Sequence, residues 1–426
     1  MRTVLAHTSR LARGGLRRFG GSALLVALGR VAFLAFFAVA ARFSSVAQFG
    51  EFATSLALAQ ILAVPATLGT GPAAQAILPG ALHRSGTRVS DLFIRFSATA
   101  TLLATLAIGV ALLLATAASN LLAVPGNLAT MTAGALWLLP GVSLGTLREF
   151  IARSTGHIRL ALLPRDVVWT LACIAAIVVV PAFNLQLVIG CAILLAAIEC
   201  VATVLLVRRL NCWPMRRVPF RPFRRWRDRS IALMANNTGG QLLDRFDIFV
   251  VGTLFSLESA ALYSVASRLA PLASLSQRFI VPIQAAKISL AMFNKDWPRA
   301  RVELWTGVIT GAAFAAVVLL VFLVANQFVL GLYGPAYLAA TPLLLILTLG
   351  QASTAIGSNF GLVVSMGPRS WVLAKLIWLT VIPASILAYL IAPPFGLLGV
   401  AITAAGAVTL YNTLIARAAL DTLSGP

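Results

Sequence analysis

Apolar runs of about twenty residues, separated by short polar connections, recur along the whole chain. A transmembrane helix needs about 20 predominantly apolar residues to cross the hydrocarbon core. The pattern predicts twelve of them, at residues 22–41, 49–69, 92–117, 126–147, 162–182, 185–207, 230–254, 258–286, 302–325, 338–364, 371–391 and 396–416. The expected class is an all-α polytopic membrane protein. The connections are too short for a folded extramembrane domain, so the work of the chain falls to its helices and their ends. An even number of crossings puts both termini on one side.

Composition agrees with this reading. Of 426 residues, 60% are hydrophobic and 11% charged, and the mean hydropathy is +0.94. A soluble domain carries about 25% charged residues and cannot hide this much apolar surface. A net charge of +21 taken alone would suggest nucleic-acid binding. Its distribution points elsewhere. With the amino terminus inside, 27 of the 33 Lys and Arg fall in cytoplasmic segments or at the span ends beside them (Arg165 and Lys375), Arg42 alone falls on the other face, and the other five lie within spans. This is the positive-inside bias, which a wrong span count would scramble. It places both termini in the cytoplasm and gives the basic face anionic lipids, not nucleic acid, as partners. Residues 1–40 imitate a secretory signal, with a basic stretch, an apolar run and Ala38-Val39-Ala40. Arg30 interrupts that run and eleven spans follow, so an uncleaved first helix is expected.

The longest connection divides the chain into a six-span lobe (1–210), a basic linker (211–229) and a second six-span lobe (230–426). From Arg208 to Arg229 it carries nine Arg and three Pro, with Trp213, Phe220, Phe223 and Trp226 between them. It reads as a linker pinned to anionic headgroups, or as a docking site for a partner or lipid head. Because six is even, both lobes enter the membrane in one orientation. That implies a parallel repeat about an axis along the membrane normal, with a substrate site between the lobes. Phe49-Gly50-Glu51-Phe52-Ala53 in the first lobe and Ala261-Leu262-Tyr263-Ser264-Val265-Ala266 in the second begin corresponding spans. Cys173, Cys191, Cys200 and Cys212 form no CxxC pair, and His7, His83 and His157 all fall in cytoplasmic segments. No metal site, cofactor or catalytic constellation is expected from them.

The informative residues are the charges left inside spans, each costing about 2.5–3.5 kcal/mol at the bilayer centre unless it faces a cavity or a partner. Arg30 lies in the first span. The seventh carries Asn237, Gln241, Asp244, Arg245 and Asp247, within about 160° of arc on a continuous helix, and Gly239-Gly240 offers it a bend. The eighth carries Arg268 and Arg278, with Ser264, Ser267, Pro271 and Ser274 on the same face. Arg95 and Arg165 sit near span ends and can snorkel, and Glu199 stands isolated in the sixth span. In the bland reading, Asp244 and Asp247 neutralise Arg245 or Arg268 and fix helix packing. In the functional reading, four arginines against two aspartates leave a cationic cavity. Guanidinium forks match phosphate oxygens, so such a cavity points to an anionic amphiphile such as a diphosphate lipid.

Several segments, in order and spacing, resemble the polysaccharide flippases of the multidrug/oligosaccharidyl-lipid/polysaccharide (MOP) superfamily. They are Gln48-Phe49-Gly50 with Phe52-Ala53, Gln241-Leu242-Leu243-Asp244-Arg245-Phe246-Asp247, Leu262-Tyr263-Ser264-Val265-Ala266-Ser267-Arg268-Leu269, Leu332-Tyr333-Gly334-Pro335-Ala336-Tyr337 and Met366-Gly367-Pro368-Arg369. The resemblance implies two pseudo-symmetric six-helix lobes in a V, around a central cavity lined largely by spans one, two, seven and eight. It also implies a bacterial cytoplasmic membrane and transfer of an undecaprenyl-diphosphate-linked oligosaccharide to the outer leaflet by alternating access. On it, Arg30 and Arg268 match diphosphate-binding positions, with Arg278 beside them; Asn237, Gln241 and Arg245 complete the candidate substrate-binding set. Asp244 and Asp247 are the candidate cavity acids, or the groups coupling transport to H+ or Na+. A polysaccharide polymerase or glycosyltransferases would be partners. The lipid II flippase branch has two further spans, for which this chain has no room. The drug-exporter branch relies on acidic cation sites in the amino-terminal lobe, where only Glu51 and Glu199 are on offer. A cation-coupled multidrug exporter and a membrane scaffold for glycosyltransferases are the alternatives.

Overall fold

The structure is a computed structural model that describes residues 25–84, 87–122, 127–180, 183, 186–210, 223–294, 296–366 and 371–423. The Arg-rich leader, residues 211–222 of the basic linker and Gly367-Pro368-Arg369 lie outside the described residues. The described chain is helical throughout: α1 (Leu25–Phe43), α2 (Val46–Ala66), α3 (Thr70–Arg84), α4 (Thr87–Leu121), α5 (Leu128–Ser154), α6 (Ile158–Val179), α7 (Leu187–Leu210), α8 (Phe223–Leu243), α9 (Phe246–Leu254), α10 (Leu257–Leu269), α11 (Gln277–Phe293), α12 (Trp297–Gly331), α13 (Thr341–Met366) and α14 (Trp371–Leu423). Nine helical stretches among the described residues are long and apolar enough to cross a membrane. The 53-residue α14 turns at Gly396 (φ 61°) and crosses twice. The broken pairs α8–α9 and α10–α11 supply the remaining two crossings, giving twelve-helix architecture. Rows of large apolar side chains, such as Leu102, Leu106, Val110 and Leu113 on α4 and Val317, Leu320 and Val324 on α12, face outward, as lipid-facing helices require.

Helix limits follow local chemistry. α2 opens with a capping box in which the Ser45 hydroxyl accepts from the Gln48 backbone N–H at 3.2 Å and the Gln48 side chain accepts from the Ser45 N–H at 3.1 Å. Ser256 caps α10 in the same way, accepting from Ser259 N–H. Such caps satisfy amides that a helix start would otherwise leave unpaired. In sequence, Gly239-Gly240 offers the seventh span a place to bend. The helix runs straight through them and breaks instead at Asp244–Arg245, where Arg245 leaves helical geometry (φ −139°). The eighth span is likewise not continuous: Pro271 directs a 3-10 turn over Ala270–Ser274. The second span continues past its expected end, turning at Leu68 and Gly69 into α3.

In the first six spans, α5 is the hub and packs on α2, α3, α4 and α7; in the last six, α13 packs along α14 and α12. The two bundles meet where α10 lies on α2 and α8 lies on α2 and α3. The crossing of α2 and α10 is close because residue 50 is glycine: a Cβ there would lie 1.9 Å from the Leu257 carbonyl oxygen. Thus the two segments that look alike in sequence pack against each other. Around the crossing, the Phe49 ring meets Tyr337 (centroids 5.9 Å apart) and Phe37 (5.6 Å). The Asn127 amide donates to the Phe255 carbonyl across the bundles at 2.7 Å. This end of the molecule is shut.

Glu199, read from sequence as isolated, is paired. Arg148 of α5 grips it with two bonds, Nε to Oε2 at 2.6 Å and Nη2 to Oε1 at 3.0 Å, and both side chains are fully buried. Arg148 falls just past the fourth predicted span (126–147), but α5 extends to Ser154 and carries it into the first bundle.

Two outcomes follow from these contacts. Arg148→Ala strands a buried carboxylate and should cost about 3–5 kcal/mol, seen as a lower melting temperature of the purified protein; Arg148→Met with Glu199→Leu should recover most of it. Gly50→Leu should hold the shut end open. A cysteine placed at Phe33 in a cysteine-free background should then react with an impermeant thiol reagent from the Ser45 end, which the Gly50 protein should prevent.

Candidate functional site

Between the bundles lies a cavity of about 320 Å³ that reaches toward the Arg-rich ends of α5 and α6. Its wall includes Arg30 on α1, Gln60 on α2, Glu149 and Arg153 on α5, and Arg165 and Asp166 on α6. From the second bundle come Asn237 and Gln241 on α8, with Arg245, Arg268 and Arg278. A second space of about 530 Å³ shares Arg30, Gln241, Arg245 and Arg278 with it and adds Asp244, Asp247, Ser267 and Ser274. All eight residues singled out from sequence therefore line one connected region, although they come from five helices and a turn.

Interrupted helices put them there. Backbone that leaves helical geometry at membrane depth is tolerated where it lines a polar cavity. The break at Asp244–Arg245 and the 3-10 turn after Arg268 both border this one. On the opposite wall, α6 loosens into a π-turn over Pro164–Trp169; such bulges recur at functional sites. It carries Arg165 and Asp166 to the cavity. Asp166 can lie against α1 because residue 29 is glycine: a Cβ there would be 2.7 Å from the Asp166 Cβ. Arg165 therefore does not simply snorkel at a span end; it belongs to the cavity wall.

Arg268 is the most constrained of the cations. It is 6% exposed, and its guanidinium lies over two rings of α1, with Cζ 5.0 Å from the Phe37 centroid and 5.5 Å from that of Phe33. A desolvated cation–π contact is worth about 2 kcal/mol, which holds the group in place without satisfying its donors. Its Nε and Nη2 have no hydrogen-bond partner among the described residues, and neither has Arg245 Nε. The two aspartates differ. Asp247 is engaged within its own bundle: Oδ2 accepts from the Tyr263 hydroxyl at 2.9 Å, and Oδ1 accepts from the Ile248 N–H at 2.8 Å. Asp244 is accessible from the cavity, and no bond or ion pair to its carboxylate occurs among the described residues.

Sequence reasoning missed four charged wall residues, Arg165 and three more. Glu149 and Arg153, an i,i+4 ion pair, belong to a helix that outruns its predicted end. Asp166 lies inside the fifth predicted span, so it was legible as an intramembrane acid. The claim that the first lobe offers only Glu51 and Glu199 is therefore corrected. The wall holds six arginines against four acids. Each bundle contributes three arginines and two acids, hence one surplus positive charge apiece.

No known protein-family profile matches the chain, and no curated protein matches it by sequence. Solved structures do match by shape. A multidrug resistance MATE family transporter of the MOP superfamily in an inward-facing conformation aligns with TM-score 0.68 and 14% identity, over 94% of this chain and 98% of that one. The lipid II flippase MurJ in an inward closed conformation aligns with TM-score 0.71 and 15% identity, over 95% and 89%. The fold is that of the MOP-superfamily transporters. An outward-facing structure of a MATE family transporter aligns less well, with TM-score 0.56 at 15% identity over 94% and 95%.

A wall with two surplus positive charges and unpartnered guanidinium donors should take up a compact polyanion. Inorganic pyrophosphate is expected to raise the melting temperature of the purified protein. The shift should shrink in Arg268→Ala and with rising salt, and grow in Asp166→Asn, which removes one of the acids.

Proposed function

We propose that the protein flips an undecaprenyl-diphosphate-linked oligosaccharide from the cytoplasmic to the outer leaflet by alternating access, for surface polysaccharide synthesis. The observation that carries this reading is Arg268: a buried guanidinium lying over two neighbouring aromatic rings with two donor atoms unpartnered among the described residues, in a wall with a net surplus of arginine. A diphosphate diester carries two negative charges, and the two bundles present one surplus positive charge each. In the empty cavity those like charges repel across low-dielectric walls and favour bundles parted at the Arg-rich end. A bound diphosphate neutralises both sides and lets them close there, which transfers the opening to the other face. Positive-inside orientation makes the Arg-rich end cytoplasmic, the side on which lipid-linked sugars are assembled. The unmatched part of the lipid II flippase chain, about a tenth of its length, is consistent with the oligosaccharide branch rather than with that one.

A second reading has a specific observation behind it. Glu149 and Asp166 put acids on the first bundle's wall, where a cation-coupled drug exporter of MATE type would carry them. Their arginine neighbours, Arg153 and Arg30, argue that they are counter-ions instead.

The decisive measurement is translocation of lipid-linked oligosaccharide in proteoliposomes, with Arg30→Ala and Arg268→Ala each expected to slow it at least tenfold. Unchanged rates in both would remove the diphosphate role. Cells lacking the protein should accumulate lipid-linked oligosaccharide on the cytoplasmic leaflet; sensitivity to cationic drugs with normal surface polysaccharide would favour the exporter instead.

A further inference from the structure

The charged wall is only one part of the connected space. A third compartment of about 510 Å³ lies wholly within the second bundle, between α8, α13 and the second limb of α14, and meets the charged cavity at Asn237 and Gln241. Its chemistry is different. Asn236, Asn237, Gln241, Thr354, Ser358 and Tyr411 face it, and Asp244 is its sole charged lining residue. Side-chain amides and hydroxyls both donate and accept, whereas guanidinium groups only donate. The compartment shares Gln241, Asp244, Thr354 and Ser358 with the space that Arg30, Arg245 and Arg278 line, but no arginine lines the compartment itself.

We propose that this compartment holds the oligosaccharide head of the substrate while the arginines hold its diphosphate. The inference rests on the flippase reading above and divides that site into two. A sugar ring presents vicinal hydroxyls, each donor and acceptor, and apolar C–H faces. Amide side chains meet the first, the half-buried Tyr411 ring can cover the second, and an accessible carboxylate such as Asp244 can accept from two neighbouring hydroxyls at once. Gln241 stands where the sugar–phosphate bond would lie. Placing the sugar in one bundle and sharing the diphosphate between both makes the head travel with the second bundle as the bundles rock. Selectivity among sugars then resides in α8, α13 and α14, away from the charge-bearing wall of α1, α5 and α6.

Two probes separate this from the flippase reading itself: undecaprenyl diphosphate without sugar, and lipid-linked oligosaccharide extracted from cells lacking the protein. Binding of each to the purified full-length protein in nanodiscs should differ by about tenfold or more in favour of the sugar-bearing lipid. Asn236→Ala and Tyr411→Ala should erase that difference and leave affinity for the sugar-free lipid unchanged, while Arg268→Ala should weaken both lipids alike. Equal wild-type affinity for the two lipids would overturn the sugar compartment and leave the diphosphate reading intact. So would Tyr411→Ala weakening both equally, since that is a structural effect. A sugar preference that survives Asp244→Asn, with only a Na+ dependence of binding lost, would make the compartment a cation site and overturn the proposal as well. Failure of the wild type to bind either lipid would remove the flippase reading and this inference together.

Discussion

Everything distinctive in this structure depends on the cost of holding guanidinium groups at membrane depth. An arginine in lipid is expensive, and one beside a polar cavity is not. The fold meets that constraint by interrupting helices where the charges sit: at Asp244–Arg245, after Arg268, and in the π-turn that carries Arg165 and Asp166. Exposed backbone, side-chain charge and space coincide, so each justifies the others. Elsewhere in the membrane the charges are closed off. Arg148 and Glu199 show the contrast, since a bidentate pair with no exposure uses its groups up and leaves nothing for a ligand.

The sequence pattern made the architecture legible because length and apolarity suffice to define a membrane-spanning helix, and the basic residues fixed its register by side. What it could not locate were the breaks. Gly239-Gly240 offers a bend by residue type, but the helix is continuous there and packs on α14, where the Trp378 indole donates to the Ala235 carbonyl at 3.1 Å. The break comes four residues on, and beyond it α9 docks on α14, with Thr253 and Tyr389 in contact at 2.8 Å. A helix interruption decided by tertiary contacts leaves little local trace.

The candidate site was partly legible for a related reason. A charge within an apolar run is visible on any hydropathy plot, which is how Arg30, Asp244, Arg245, Asp247, Arg268 and Arg278 stood out. Whether that charge faces a partner or a cavity is a property of the neighbouring helix. Glu199 looked solitary because Arg148 lies 51 residues away in the chain. Asp247 lines the cavity, and both its oxygens are also bound within its own bundle, which its position in the sequence does not reveal. Glu149 and Arg153 were hidden by the opposite error, a helix that extends beyond its apolar stretch. The surplus of two positive charges nonetheless came out the same from four arginines and two acids as from six and four, because the missed residues added balanced charge.

That balance bears on how such a machine can be both selective and mobile. If one bundle held the whole surplus, an anion would bind it and leave the other bundle indifferent. With one surplus charge on each side, the anion must engage both to be neutralised, so binding and approach of the bundles become one event. At the other end, the glycine crossing of α2 and α10 and the aromatic contacts around Phe49 are short-range packing, strong when closed and negligible once parted. Repulsion relieved at one end against packing lost at the other defines a two-state element, and a ligand can shift it only by its differential affinity for the two states. A dianion shared between the bundles has that property. A cation held by a single bundle would have to obtain it by other contacts, whereas Arg268 of the second bundle already lies over Phe33 and Phe37 of the first.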